Sequence, residues 1–143
     1  MSNIELDYSH SLANMERTPA TAYLLAVLGE ISELTTFNQV RIFNGRNAIN
    51  DLERLNNFEL VRVRKPKANG KTHYTAYRVA NKKQCETLIK LYQLKAKQKG
   101  YPLMTKSQIS IALSRFNDKY DPLKVADGEY IVRKPPRPST IQA

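Results

Sequence analysis

One segment most constrains the fold of this chain: an amphipathic helical pattern followed by two β-rich runs around a basic loop. Apolar residues recur at three- and four-residue spacing over 46–56, which predicts a helix that buries one face. Valines alternate with arginines over 61–64, and a second alternating run covers 74–79. In the loop between them, 65–73, Asn69-Gly70 indicates a turn. The segment therefore predicts a helix beside a β-hairpin with a cationic tip.

Length and composition point to a globular protein. The chain has 143 residues, which is enough for one domain with its own core. It is 41% hydrophobic and 25% charged, as folded proteins usually are. No apolar run is long enough for a membrane span, and no basic region precedes the apolar stretch 22–28 as in a signal peptide. The single cysteine, Cys85, excludes an internal disulfide framework, so we expect a cytoplasmic protein.

Positive charge is concentrated in one part of the sequence. Residues 60–100 hold 12 Lys and Arg against one acid, Glu86, while the formal net charge of the whole chain is +10. The remaining residues hold 11 Lys and Arg against 12 acids, so their net charge is −1. A confined positive field attracts polyanions and accelerates their encounter. We therefore expect a nucleic-acid partner; a solubilising surface is the alternative explanation.

Helical patterns flank the central segment. Thr18-Pro19 predicts the start of a first helix over 19–32, and a short second helix is expected from Thr35 or Thr36 to Asn44-Gly45. A long helix is predicted near 82–98, with Asn81 as its cap.

The two faces of the predicted helix 46–56 differ in chemistry. Its buried stripe is expected to consist of Ala48, Ile49, Leu52 and Leu55. Its opposite face carries Asn47, Asn50, Asp51 and Arg54. A solvated surface face is the alternative explanation for this polar set.

A smaller unit is predicted beyond the long helix. Residues 105–108 match a capping box, and 109–117 continue with an apolar helical face. The runs 123–126 and 129–132 are expected to pair with each other as a two-residue hairpin. The tail, 133–143, is rich in proline and basic residues and is expected to be extended and mobile.

The order of these elements resembles the winged helix-turn-helix family. The local match runs from Ala48 to Val61, where two helix leucines are followed by a turn and the Leu60-Val61 pair. The chain departs from the family pattern at Phe58-Glu59, where members usually carry glycine. The resemblance implies an α+β, mostly α fold with a three-helix core and a β-hairpin wing, extended by a long helix and a small C-terminal helix and hairpin.

The expected organisation has five parts. It comprises an N-terminal arm (1–17), the winged helix-turn-helix domain (18–80), a linking or dimerisation helix (81–99), the small C-terminal unit (100–132) and a flexible basic tail (133–143).

The resemblance implies a sequence-specific double-stranded DNA-binding protein, a transcriptional regulator of the phage or mobile-element type. Helix 46–56 would enter the major groove and loop 65–73 would contact the backbone. Asparagine pairs bidentately with adenine and arginine with guanine, lysines contact phosphates, and helix N-termini favour phosphate. Asp51 would accept from a cytosine amine or orient Arg54, and Asn69 would enter the minor groove. The expected contacts are Thr36, Asn38, Arg46, Asn47, Asn50, Asp51, Arg54, Arg64, Lys65, Lys67, Asn69, Lys71 and His73.

Two further partners and two other functions are compatible with the sequence. A homodimer through helix 81–99 is expected unless 103–132 fold back over its wide apolar stripe, and 100–143 would recruit a protein partner.

The other functions are an architectural DNA-binding factor, such as an excisionase or replication accessory, and a protein-interaction module that inhibits a host enzyme. The acidic residues are scattered, and the two histidines are far apart in the sequence. We therefore expect no enzymatic activity and no bound metal or cofactor.

Overall fold

Helix α1, Arg17–Leu28, lies at the centre of the protein because it is apolar on nearly every side. The computed structural model describes residues 15–32 and 45–133, apart from the side chain of Arg46. Every residue from Pro19 to Ala26 is buried. The helix begins after Glu16 rather than at the predicted Thr18 cap. It also ends earlier than predicted, because Gly29 adopts a left-handed conformation with φ of 82°.

The described residues form an α+β protein, which confirms the predicted class. The remaining helices are α2 (Gly45–Asn56), α3 (Lys82–Lys99) and α4 (Lys106–Ser114). The strands are β1 (Glu30–Ser32), β2 (Val61–Pro66), β3 (His73–Arg78) and β4 (Tyr130–Val132). The predicted second helix, 35–45, lies almost wholly outside the described residues.

The four strands form one antiparallel sheet in the order β1-β3-β2-β4. Strands β2 and β3 form the predicted hairpin, and β1 pairs with β3 through Ile31 opposite Tyr77. The predicted turn at Asp127-Gly128 is present, because the Glu129 N–H donates to the Ala126 carbonyl at 3.0 Å, but the prediction that 123–126 form a strand paired with 129–132 is wrong. Strand β4 instead pairs with the outer edge of β2, while the carbonyls of Pro122 and Lys124 accept hydrogen bonds from Arg78.

Helices α3 and α4 complete the core around α1. The rings of Tyr92 on α3 and Tyr23 on α1 are 5.1 Å apart, and Gln108 on α4 donates to the Tyr23 hydroxyl at 3.0 Å. Arg115 donates to the carbonyl of Ala26 at 2.9 Å, which ties the end of α4 to α1. Residues 100–132 therefore share one core with the preceding elements. The apolar stripe of α3, predicted to be wider than one packing partner needs, has two partners, α1 and α4.

Candidate nucleic-acid interface

Helix α2 buries one face against the core. Ala48, Ile49 and Leu52 are almost fully buried, as predicted. Leu55 was predicted to join them but is 64% exposed. The buried edge at the end of the helix is formed instead by Glu53, which is four residues after Ile49 and therefore shares its side of the helix. The prediction from apolar spacing alone that Leu55 is buried was therefore wrong.

The opposite face of α2, which we call the polar face, consists of Asn47, Asn50, Asp51 and Arg54. Asn47, Asn50 and Arg54 are exposed. Asp51 is partly exposed and accepts from Arg54 at 2.9 Å and from Arg17 of α1 at 3.4 Å. Of the two roles considered for Asp51, this geometry matches the orientation of Arg54. The arrangement leaves two amides and a restrained guanidinium facing solvent.

A buried ion pair joins α2 to the sheet. Both terminal nitrogens of Arg62 donate to Glu53, at 2.8 Å and 2.9 Å, and the backbone N–H of Leu60 donates to the same carboxylate at 2.8 Å. Glu53 is 2% exposed and Arg62 is 7% exposed. Burial lowers the pKa of Arg62, but the hydrogen bonds and charge of Glu53 outweigh it, so the pKa is raised. The pair therefore stays charged and fixes α2 relative to β2.

Arg62 identifies the hairpin face that lies against α2. Because alternate residues of a strand share a face, Arg64 lies on the same side as Arg62. Arg64 donates to the hydroxyl of Thr75 at 2.9 Å, and Tyr130 of β4 lies directly opposite Arg64 in the sheet. The ring of Tyr130 meets the ring of His73 edge-on, with centroids 5.5 Å apart. Two predicted contacts, Arg64 and His73, are thus brought together with Tyr130, which the sequence did not single out.

One edge of α2 meets the inner end of this side of the hairpin. Asn50 lies one helical turn before Glu53 and so neighbours it along the helix surface. Glu53 contacts Arg62, and the strand then runs outward through Arg64 to the hairpin turn. The end of α2 that carries Glu53 therefore lies against the inner end of β2, and the hairpin turn begins five residues farther along that strand, at Lys67.

The hairpin turn presents two exposed lysines. Lys67 and Lys71 are exposed, and the backbone bond from Lys67 N–H to the Thr72 carbonyl closes the turn at 2.8 Å. The side-chain oxygen of Asn69 accepts from the backbone N–H of Lys71 at 2.8 Å and of Thr72 at 3.2 Å. Asn69 therefore shapes the turn, because its acceptor is occupied within the protein.

Lys65, a predicted phosphate contact, is paired on the other face of the sheet. Its ammonium lies 2.5 Å from Glu30 and 3.6 Å from Glu129. Glu30 also accepts from Arg78 at 2.7 Å. Burial raises the pKa of Glu30, but the hydrogen bonds and charges of Lys65 and Arg78 outweigh it and lower the pKa overall. Lys65 is therefore held by two carboxylates on the face of the sheet away from α2, and its predicted phosphate contact stays a prediction.

Several predicted features fall outside these observations. Thr36 and Asn38 are not among the described residues, and the side chain of Arg46 is not described. Within residues 15–32 and 45–133, no group of three or more His, Cys, Asp or Glu side chains is arranged to hold a metal ion. No described helix is both long and apolar enough to cross a membrane.

Comparison with known proteins places the chain in a family. The family described as "Uncharacterised protein PM1773" matches residues 3–132. The chain belongs to this PM1773 family. It is 46% identical over 131 residues to "Uncharacterized protein PM1773" of Pasteurella multocida (strain Pm70), which covers 90% of this chain and 91% of that protein. No solved structure matches the chain. The family span includes every described element from α1 to β4, and so includes the polar face and the hairpin.

Proposed function

We propose that this protein is a winged helix-turn-helix protein that binds double-stranded DNA sequence-specifically, without catalysis, as a transcriptional regulator. Helix α2 would enter the major groove and the hairpin turn would contact the phosphate backbone. The observation that carries the proposal is the exposed polar face of a helix that the Glu53–Arg62 ion pair joins to a hairpin tipped by Lys67 and Lys71.

The topology supports this assignment. Strand β1 follows α1 and pairs with β3, the second strand of the hairpin that follows α2. This pairing gives the sheet order β1-β3-β2. This connectivity is the one expected if the hairpin is a wing beside a reading helix. Strand β4 adds a third strand to the wing, on the side away from β1.

The chemistry of the polar face supports base reading. An amide offers a donor and an acceptor together, which suits adenine, whereas a guanidinium suits guanine. Asn47 and Asn50 are exposed amides, and Arg54 is held by Asp51 at 2.9 Å. A restrained arginine loses less conformational freedom when it binds. We select Asn50 as the reader to test, because it lies one helical turn before Glu53, which contacts the hairpin.

Selection from a random duplex library with the purified protein tests sequence-specific binding. We expect an enriched sequence that the wild type binds more tightly than scrambled DNA. Asn50→Ala should weaken binding to the enriched sequence by roughly tenfold, since one good bidentate contact contributes about 1–3 kcal/mol of discrimination. Binding to scrambled DNA should stay unchanged.

The control is Gln98→Ala, which removes an exposed amide from α3. Equal affinities of the Asn50 variant and this control for the enriched DNA would refute base reading by Asn50. Absence of any enriched sequence would refute sequence-specific binding.

The hairpin turn is tested by the salt dependence of binding. Lys67→Ala should weaken binding to every duplex and reduce the slope of log affinity against log salt by about one unit, because one phosphate contact is lost. Lys119→Ala removes an exposed lysine of the C-terminal segment and should leave the slope unchanged. If both variants gave the wild-type slope, the turn would not lie on the backbone.

A further inference from the structure

Among the described residues of 60–100, most of the lysines and arginines outside ion pairs lie on α3 rather than on the hairpin. The helix carries six lysines against a single acid, Glu86, which gives it a net charge of +5. In contrast, three of the basic residues of the two hairpin strands, Arg62, Lys65 and Arg78, are in ion pairs inside the protein. Half of the 12 basic residues of 60–100 are therefore on α3, and they include most of those outside ion pairs among the described residues.

Three of these lysines form a line on the solvent side of α3. Lys83, Lys90 and Lys97, which we call the lysine stripe, are all exposed and are spaced seven residues apart. Seven residues advance a helix by about 10.5 Å and return nearly to the same side, so the stripe is about 21 Å long. Among the described residues, Lys99 is the one lysine of α3 in an ion pair, with Glu16 at 3.9 Å. The stripe is therefore available to an external anion.

The lysine stripe and the polar face of α2 point in different directions. Arg17 of α1 contacts α2 through Asp51, whereas Tyr23 of α1 contacts Tyr92 of α3. Residues six apart on a helix project about 120° from each other. Helices α2 and α3 therefore lie on different sides of α1. The stripe points outward from α3, because Tyr92 lies on the opposite side of that helix.

We propose that the lysine stripe binds the backbone of a second DNA duplex, so that one protein molecule bridges two duplex segments. A duplex presents one negative charge per about 1.7 Å of its axis, so a stripe of this length faces a dense row of phosphates. This bridging role rests on the proposed function, since the first duplex is the one held by α2 and the hairpin. The stripe by itself makes backbone contacts without sequence preference.

A two-duplex capture assay tests the bridge. One biotinylated duplex carries the enriched sequence, and a second, fluorescent duplex of scrambled sequence is captured only if the protein holds both. The variant K83Q/K90Q/K97Q should capture roughly tenfold less of the second duplex, because three phosphate contacts are lost. Its affinity for the enriched duplex alone should stay within about twofold of wild type.

Two control variants sharpen the assay. K106Q/K119Q/K124Q removes the same number of exposed positive charges from residues outside α3 and should capture as the wild type does. Glu86→Gln removes the one acidic side chain of α3 and should increase capture.

Three results would overturn the bridge. They are no capture by the wild type, equal capture by the wild type and the stripe variant, and loss of enriched-duplex binding by the stripe variant. In the last case the stripe would belong to the first site. Equal capture, the second of these results, would favour an acidic protein surface as the partner of the stripe.

A second variant separates this proposal from the proposed function. N50A/K67Q/K71Q weakens the α2 and hairpin site but keeps the lysine stripe. It should still bind scrambled duplex at low salt, and adding the three stripe substitutions should abolish that binding. This result would support DNA binding by the lysine stripe even if α2 did not read bases. If N50A/K67Q/K71Q bound no scrambled duplex, DNA binding by the stripe would be refuted even if α2 did read bases.

Discussion

The Glu53–Arg62 pair provides the sharpest test of how α2 is held against the sheet. Glu53→Gln keeps the shape of the side chain but removes its charge, which leaves the Arg62 guanidinium buried without a counter-ion. Breaking a buried ion pair on one side costs about 3–5 kcal/mol. Arg62→Met should cost a similar amount, because it leaves the Glu53 carboxylate buried without its guanidinium. Either loss is a large part of the roughly 5–15 kcal/mol that typically stabilises a domain.

The double variant E53Q/R62M removes both charges together. The amide oxygen that E53Q introduces can still accept from the Leu60 N–H, which Glu53 binds at 2.8 Å. The double variant should therefore be more stable than either single variant, with a coupling free energy of about 2 kcal/mol or more. Urea unfolding followed by far-ultraviolet circular dichroism gives the four free energies. A cost below about 1 kcal/mol for each single variant, or additive costs, would refute the reasoning.

Two other predictions follow from burial and charge. Glu30 has a pKa below its ordinary value of 4.5, so it contributes stability above that pH and loses it as the pH falls through the lowered pKa. Denaturation midpoints between about pH 6 and pH 3 should therefore fall less in Glu30→Gln than in wild type; parallel curves would contradict this. Burial raises the pKa of Cys85 to about 11, with Arg115 offsetting only part of the effect, so the thiol is protonated at neutral pH. A thiol reagent should modify native protein far more slowly than urea-unfolded protein, and equal rates would show that Cys85 is accessible.

Local sequence patterns predicted the elements that surround the candidate interface. The apolar spacing of 46–56 indicated α2, and alternation around Asn69-Gly70 indicated the hairpin, because side-chain periodicity reports which face of an element is buried. The polar face of α2 was predicted for the same reason. Its exposed residues Asn47, Asn50 and Arg54 needed no knowledge of distant contacts.

Features that depend on distant partners were missed. Glu53 and Arg62 are charged residues nine positions apart. Neither the apolar spacing of 46–56 nor the alternation over 61–64 shows that their side chains meet in the interior. The pairing of β4 with β2 joins parts of the chain about 68 residues apart, as Val63 opposite Ile131 shows. Lys65 was predicted to contact DNA because its loop is basic, but Glu30 and Glu129 reach it from other elements. A signal for Glu53 existed in its position, which falls within the apolar stripe of α2.

The location of the DNA on the protein surface tests directly whether α2 and the hairpin turn bind it. Backbone amide chemical shifts, followed by NMR while the enriched duplex is titrated into labelled protein, report that location residue by residue. We expect the largest changes at Asn47, Asn50 and Arg54 of α2 and at residues 67–71 of the hairpin turn. Changes that leave the polar face of α2 unaffected at saturation with one duplex would contradict the account.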